Sequence, residues 1–193
     1  DGHRIIKNQL GPLETDLDRF PPPDRAIFSG EHLADYREKR LVFMASRGCP
    51  YTCTHCCNDR LRRVYPDGCR YVRFKSVERV ISEIRHGLAL QPRTDYIAFH
   101  DDILPLKKEW FREFVRRYKA QIGKPYICNG RFELLDDETI GLLKFSGCAG
   151  LKIGLESGND HIRKQVLGRR QDRQLMLTVG DSCRKAGLRM YTF

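Results

Sequence analysis

Three cysteines stand within the eight residues Cys49-Pro50-Tyr51-Thr52-Cys53-Thr54-His55-Cys56, spaced C-x3-C-x2-C. Cysteine thiolates are the usual ligands of iron–sulfur clusters. Three of them on one tight loop can hold three irons of a [4Fe–4S] cube and leave the fourth iron open. An open iron is a place for chemistry rather than for electron storage alone. Cys57 adjoins Cys56 and must point elsewhere, so it reads as a neighbour of the ligands or a packing residue.

Other chemistries compete for the same thiols. Structural zinc takes four ligands, usually as two separated C-x2-C pairs. Cys53 and Cys56 make one such pair and no second exists, although Cys69 or His55 could be drafted in. Bacterial ferredoxin loops use C-x2-C-x2-C with a more remote fourth cysteine, and the x3 spacing differs. A zinc-binding module and an iron–sulfur electron carrier therefore stay open as non-enzyme readings. Three merely structural thiols fit least, because a polar Gly-Pro loop buries no core.

The elements that must position this loop can be read from hydrophobic period. Residues 1–38 make a poor core, and Leu17-Asp18-Arg19-Phe20-Pro21-Pro22-Pro23-Asp24 cannot continue a helix or a central strand, because proline fixes φ and lacks the N–H donor. This segment reads as a linker. From residue 39 onward strands and helices alternate. Strands are expected at Arg40–Ala45, Tyr96–His100, Pro125–Asn129, Gly150–Leu155 and Leu188–Phe193. Ser76 and Asp136 can cap helices, and a further helix carries Trp110, Phe111, Phe114, Val115 and Tyr118 on one face. A short helix is expected near Asp160–Val166 and a longer one over Asp172–Ala186. Such alternation predicts a parallel sheet with right-handed crossovers, either open or closed into a barrel. In both, the site lies at the carboxyl ends of the strands. The cysteine loop sits there, as do His100-Asp101-Asp102, Asn129-Gly130-Arg131 and Glu156-Ser157-Gly158.

Composition sets the bounds. The chain has 193 residues and a formal net charge of +10. The basic residues, such as Arg112, Arg116, Arg117 and Lys119, read as solvent faces of helices. No dense basic run interleaves with aromatics, so nucleic acid is not indicated. No stretch approaches the apolar length of a membrane span. Four of the eight cysteines cluster at 49–57 and the rest are scattered, a distribution that suits a reducing cytoplasm and a metal site. The chain begins without Met and stops at Met190-Tyr191-Thr192-Phe193, inside what reads as a strand, so an excised fragment is expected.

The C-x3-C-x2-C loop after a first strand resembles that of the radical S-adenosylmethionine (SAM) superfamily, over residues 40–193. The finer likeness is to the subgroup with an N-terminal cobalamin-binding domain. It rests on the Pro-rich stretch Leu17–Phe28, Arg-Gly-Cys-Pro-Tyr at Arg47–Tyr51, Phe99–Asp102, Ser146-Gly147-Cys148 and Gly-Leu-Glu-Ser-Gly at Gly154–Gly158. The resemblance implies an α/β fold, a partial TIM-type (βα)6 barrel truncated after about the fifth strand. Residues 1–38 would be the linker from an absent upstream domain, and residues 39–193 an incomplete core.

It also implies roles. Cys49, Cys53 and Cys56 would ligate a [4Fe–4S] cluster, whose open iron would bind SAM. His55 would lie beside the adenine. Asp101 or Asp102 would accept from the SAM amino group, with strand parity slightly favouring Asp101. Arg131 would pair with the SAM carboxylate, and Asn129 would add a neighbouring polar contact. Glu156, with Ser157 as a lesser partner, would accept from the ribose hydroxyls. Arg169 and Arg170 would either contact the SAM carboxylate or cap a helix. The implied activity is reductive cleavage of SAM to a 5′-deoxyadenosyl radical for methylation or rearrangement of an organic small molecule. Cobalamin would come through the absent upstream domain, and the electron from a low-potential donor of the flavodoxin or ferredoxin type. A methylthiotransferase-like or tRNA-modifying member is the alternative enzyme.

Overall fold

The computed structural model describes residues 5–27, 38–65 and 70–193. Cys69 and the first four residues lie outside them. Five parallel strands form one sheet: β1 (Arg40–Phe43), β4 (Tyr96–Phe99), β5 (Tyr126–Gly130), β6 (Cys148–Ile153) and β7 (Met190–Thr192), in that spatial order. Two short strands, β2 (Ser46–Arg47) and β3 (Arg73–Phe74), pair antiparallel beside it. The order runs along the sheet without reversal. With crossovers of one hand, such an order places every connecting helix on one face, as an arc of a barrel does. Of the two expected architectures, the barrel type is the one formed.

Among the described residues the α-helices are α1 (Cys57–Val64), α2 (Val77–Leu90), α3 (Lys108–Gln121), α4 (Asp137–Ser146) and α5 (Arg173–Lys185). Three have side-chain caps, the expected Ser76 and Asp136 and also Asp172: Ser76 accepts from Arg79 N, Asp136 from Thr139 N and Asp172 from Leu175 N. Each satisfies a first-turn N–H that the helix itself cannot. Gly147 closes α4 with φ +93°, a left-handed geometry that glycine adopts without strain. The Asp160–Val166 stretch is not an ordinary helix but a π-turn over Ile162–Val166.

The core lies between the sheet and α2 to α5. Leu41, Phe43, Ile97, Phe99, Tyr126, Leu151 and Ile153 from the strands meet Ile84, Phe111, Phe114, Tyr118, Leu143 and Val179 from the helices. All five residues expected on the inner face of α3 are buried. Three elements gave no hydrophobic signal. The buried residues of α1 are Asn58 and Asp59, so its inward face is polar. Strands β2 and β3 are two residues each.

The proline-rich segment carries 3-10 turns at Leu17–Arg19 and Arg25–Ile27 and is docked. Asp18 accepts from Ser76 N (3.0 Å), Arg73 Nη1 donates to the Glu14 carbonyl (2.8 Å), and Arg25 donates to the Val42 carbonyl (2.7 Å) while lying over the Phe43 ring. Among the described residues no helix is long and apolar enough to cross a membrane.

Candidate functional site

The cysteine loop leaves β1 through a sharp corner that three contacts hold. The buried Asp101 carboxylate accepts from Ala45 N at 3.0 and 3.1 Å and from the Ser46 hydroxyl. β2 and β3 pair to form the stem. Gly48 then turns with φ +83°, and a Cβ there would stand 2.5 Å from the Tyr71 carbonyl oxygen, so only glycine fits. Beyond it the loop closes on itself, Cys56 N donating to the Cys53 carbonyl at 3.0 Å, and α1 starts. The far side of the loop is tied to the π-turn segment: Thr54 N donates to the Leu167 carbonyl (3.1 Å) and Thr54 Oγ1 to the Val166 carbonyl (2.6 Å).

This corner corrects one expectation. Strand parity favoured Asp101 as the carboxylate facing a ligand, but the strand ends at Phe99 and its alternation does not extend to residue 101. Asp101 is 0% exposed and spends its oxygens on the Ala45–Ser46 donors that β1 leaves unpaired. Burial pushes its carboxyl up, against the hydrogen bonds from Ser46 and Ala45. The neighbouring Asp102 is the carboxylate that lines the cavity, held by Asn58 Nδ2 at 2.9 Å.

That cavity, about 600 Å³, lies at the carboxyl ends of the strands. Cys49, Cys53, Cys56, His55, Asp102, Asn129, Arg131 and Glu156 all line it, so four separate stretches of sequence converge. Its volume falls within the range of ordinary small-molecule sites. Ser157 is not among its lining residues: its hydroxyl accepts from Asn159 N (3.1 Å) and its carbonyl accepts from the buried Arg163. Asn129 Nδ2 donates to the Asp101 carbonyl at 2.7 Å, which leaves its own oxygen for the cavity.

The basic and acidic groups are arranged in two sets. Arg131 donates to Cys53 Sγ (3.2 Å), bonds both oxygens of Glu133 (2.7 and 3.3 Å) and lies over the Tyr51 ring. Burial would lower its pKa, but the bonds to Glu133 and Cys53 outweigh that, so it stays charged. On the opposite wall, Glu156 pairs with Arg169 at 2.9 Å and stands 3.9 Å from His55 Nε2, too far for a hydrogen bond. Glu156 has φ +66°, an unusual geometry for a residue with a side chain. Arg169 is itself fixed by the Gly154 carbonyl (2.7 Å) and Gln171 (3.2 Å). Its own donors are thus turned to Glu156 and the strand end.

The thiols suit a cluster better than a single ion. Among the described residues no group of three or more His, Cys, Asp or Glu converges closely enough to hold one metal ion. A cube instead takes one thiolate per iron, spread along a loop. Arg131 donates to Cys53 Sγ, and Cys56 stands at the N-cap of α1. Burial pushes the Cys49 thiol up, so metal binding there must displace a proton. The sequence reading missed Asn58 and Lys152 as lining residues. Asn58 lies in the polar helix α1, where period gives no signal. Lys152 did carry one: it is a lone cation between Leu151 and Ile153 in an otherwise apolar strand.

The family model described as the radical SAM superfamily matches residues 43–193. An uncharacterized methyltransferase of Pyrococcus horikoshii is 26% identical over 178 residues, covering 92% of this chain and 37% of that protein. Among solved structures, the radical SAM methyltransferase TsrM from Kitasatospora setae, with tryptophan substrate and a SAM analogue bound, superposes with a TM-score of 0.64 at 20% identity, over 82% of this chain and 31% of that one. TsrM with cobalamin and a [4Fe–4S] cluster gives 0.62 at 20% identity, over 78% and 28%. Methylornithine synthase gives 0.59 at 15% identity, over 79% and 43%. The chain therefore spans less than half the length of these relatives.

Proposed function

The chain belongs to the radical SAM superfamily, and on that premise we propose that its carboxyl-end cavity is a SAM-cleaving site of the cobalamin-dependent methyltransferase type. The observation that carries the reading is the convergence of Cys49, Cys53 and Cys56 with Asp102, Arg131 and Glu156 on one cavity. The three thiols would hold a [4Fe–4S] cluster. When bound, such a cluster with an open iron supplies one-electron cleavage of SAM to methionine and a 5′-deoxyadenosyl radical, used to methylate or rearrange an organic substrate.

The remaining residues bind and orient. Asp102 and the Asn129 oxygen offer acceptors for the SAM ammonium, a charge-assisted pairing stronger than a neutral one. Arg131 holds the Cys53 sulfur and the Tyr51 ring, which makes it a brace of the loop. Arg169 aims Glu156, whose second oxygen is available to ribose hydroxyls, and His55 offers a flat face on the same wall. The net charge of +10 suits an acidic, low-potential electron donor of the flavodoxin or ferredoxin type. The methyltransferase and cobalamin parts draw support from the named relatives, and a cobalamin unit would lie outside this sequence.

Anaerobic reconstitution with iron and sulfide, followed by dithionite and SAM, is expected to release 5′-deoxyadenosine. Cys53→Ala is expected to lose the iron–sulfur absorption. A cluster that forms but leaves SAM intact would overturn the reading, as would a Cys53→Ala protein with wild-type absorption.

A further inference from the structure

A second cavity, about 910 Å³, lies on the face of the sheet away from the helices. It shares Asn129, Lys152 and Phe193 with the cysteine cavity, so the two adjoin. Side chains alternate along a strand, and residues in register on neighbouring strands stand side by side. Asn129 pairs with Lys152, and Lys152 with Tyr191, so an amide, an ammonium and a phenol form one row across β5, β6 and β7.

The charges in this cavity are unequal. Asp95 at its rim is 3.7 Å from Lys39 and is thereby paired. Arg189 donates to the Tyr191 hydroxyl at 3.4 Å and keeps its other donors. Lys152 is half-buried, and its ammonium has no hydrogen bond or ion pair to any described residue. A cation that lines a cavity without a partner is open to a charge-assisted bond from an anion. Below the row the surface turns apolar. Gly150 has no side chain, and a Cβ there would stand 2.7 Å from the Tyr191 ring and 3.2 Å from Ile127. The ring therefore lies over Gly150, and Ile127, Phe193 and Pro125 line the same cavity.

We propose that this cavity binds the substrate, and that the substrate carries an anionic group, a carboxylate or a phosphate, on an apolar or aromatic body. Lys152 takes the anion at the junction with the SAM cavity, and the body lies on Ile127, Tyr191 and Phe193. The proposal rests on the SAM-cleavage reading for the word substrate, but the anion preference assigned to Lys152 is read without SAM. An anion held there sits beside the cysteine cavity, which fixes the end of the substrate nearest the chemistry.

The test uses three probes with one body: 4-phenylbutanoate, 3-phenylpropylphosphonate and 4-phenylbutanamide. Calorimetry at low ionic strength is expected to show at least one anion binding about tenfold more tightly than the amide, about 1.4 kcal/mol. The better of the two anions identifies the group. Lys152→Met should erase the preference and Lys152→Arg restore it. Equal binding of all three probes, or a preference that survives Lys152→Met, overturns the proposal. So does a Lys152→Met protein that loses SAM affinity but keeps the probe preference, since Lys152 would then serve SAM. A protein that shows the preference but never binds SAM would sink the SAM-cleavage reading instead.

Discussion

On the helix side of the sheet, Phe99, Phe114, Tyr118 and Tyr126 meet edge to face and tilted, with Phe99–Phe114 centroids 5.4 Å apart and Tyr118–Tyr126 centroids 5.1 Å apart. On the other side of the same strands, Asn129, Lys152 and Tyr191 form a row whose central ammonium has no hydrogen-bond or ion-pair partner among the described residues. Leu151 and Lys152 are chain neighbours, yet one is fully buried and the other faces two cavities. The pleat alone separates them. Stability and binding thus occupy alternate residues, so each can change without much disturbing the other. Only at the carboxyl rim do the two meet, where buried Asp101 and strained Glu156 serve the loop that the core supports.

The sharpest way to break this contrast is to truncate one residue from each face. Phe114→Ala is expected to cost about 3–5 kcal/mol by chemical denaturation, because it empties the centre of the aromatic cluster. Lys152→Ala is expected to stay within about 0.5 kcal/mol of wild type. Similar losses for the two would show that the faces are not independent.

Next in size is the pair of adjacent carboxylates. Asp101→Ala leaves Ala45 N and the Ser46 hydroxyl without their buried acceptor, a cost of about 1–3 kcal/mol. It should also lower the iron retained after reconstitution. Asp102→Ala is expected to weaken SAM binding with a smaller loss of stability. The reverse pattern would return Asp101 to the cavity. Gly48→Ala follows, at about 1–2 kcal/mol for the left-handed backbone alone. The clash with the Tyr71 carbonyl adds to it and should shift the loop, read as a slower or incomplete reconstitution.

The smallest effect lies far from the rim. Lys108, then the Thr139 hydroxyl and N–H, hold the Asp136 carboxyl down to about 2. Its folded value is below the ordinary value of about 3.9. The stabilisation is therefore fully present above about pH 4 and is lost as pH falls toward 2. The pair is exposed, so screening keeps it below about 1 kcal/mol. Asp136→Ala should flatten the acid limb of a stability profile and leave SAM binding alone.

The helix face was the legible half of the molecule. Apolar residues at helical and strand period located all five sheet strands and the three capped helices, because burial there is what the residue types report. The cysteine loop was legible for a different reason, since spacing on a single loop survives any folding around it. What escaped was polar burial. Helix α1 turns Asn58 and Asp59 inward, and residues 60, 62 and 63 are arginines, so hydropathy shows no face. Ser157 looked like a partner of Glu156, but the left-handed backbone at Glu156 turns the chain and leaves Ser157 to cap the next turn. Arg169 could be noticed in sequence, but its bond to Glu156 spans thirteen residues of irregular chain.

The central claim is that Cys49, Cys53 and Cys56 hold a cluster whose fourth iron faces a SAM cavity. Electron paramagnetic resonance of the reconstituted, reduced protein with and without SAM tests it most directly. A change in the iron–sulfur signal on adding SAM, absent in Asp102→Ala at the same SAM concentration, is the expected result. A signal that SAM leaves unaltered in the wild-type protein would contradict the account.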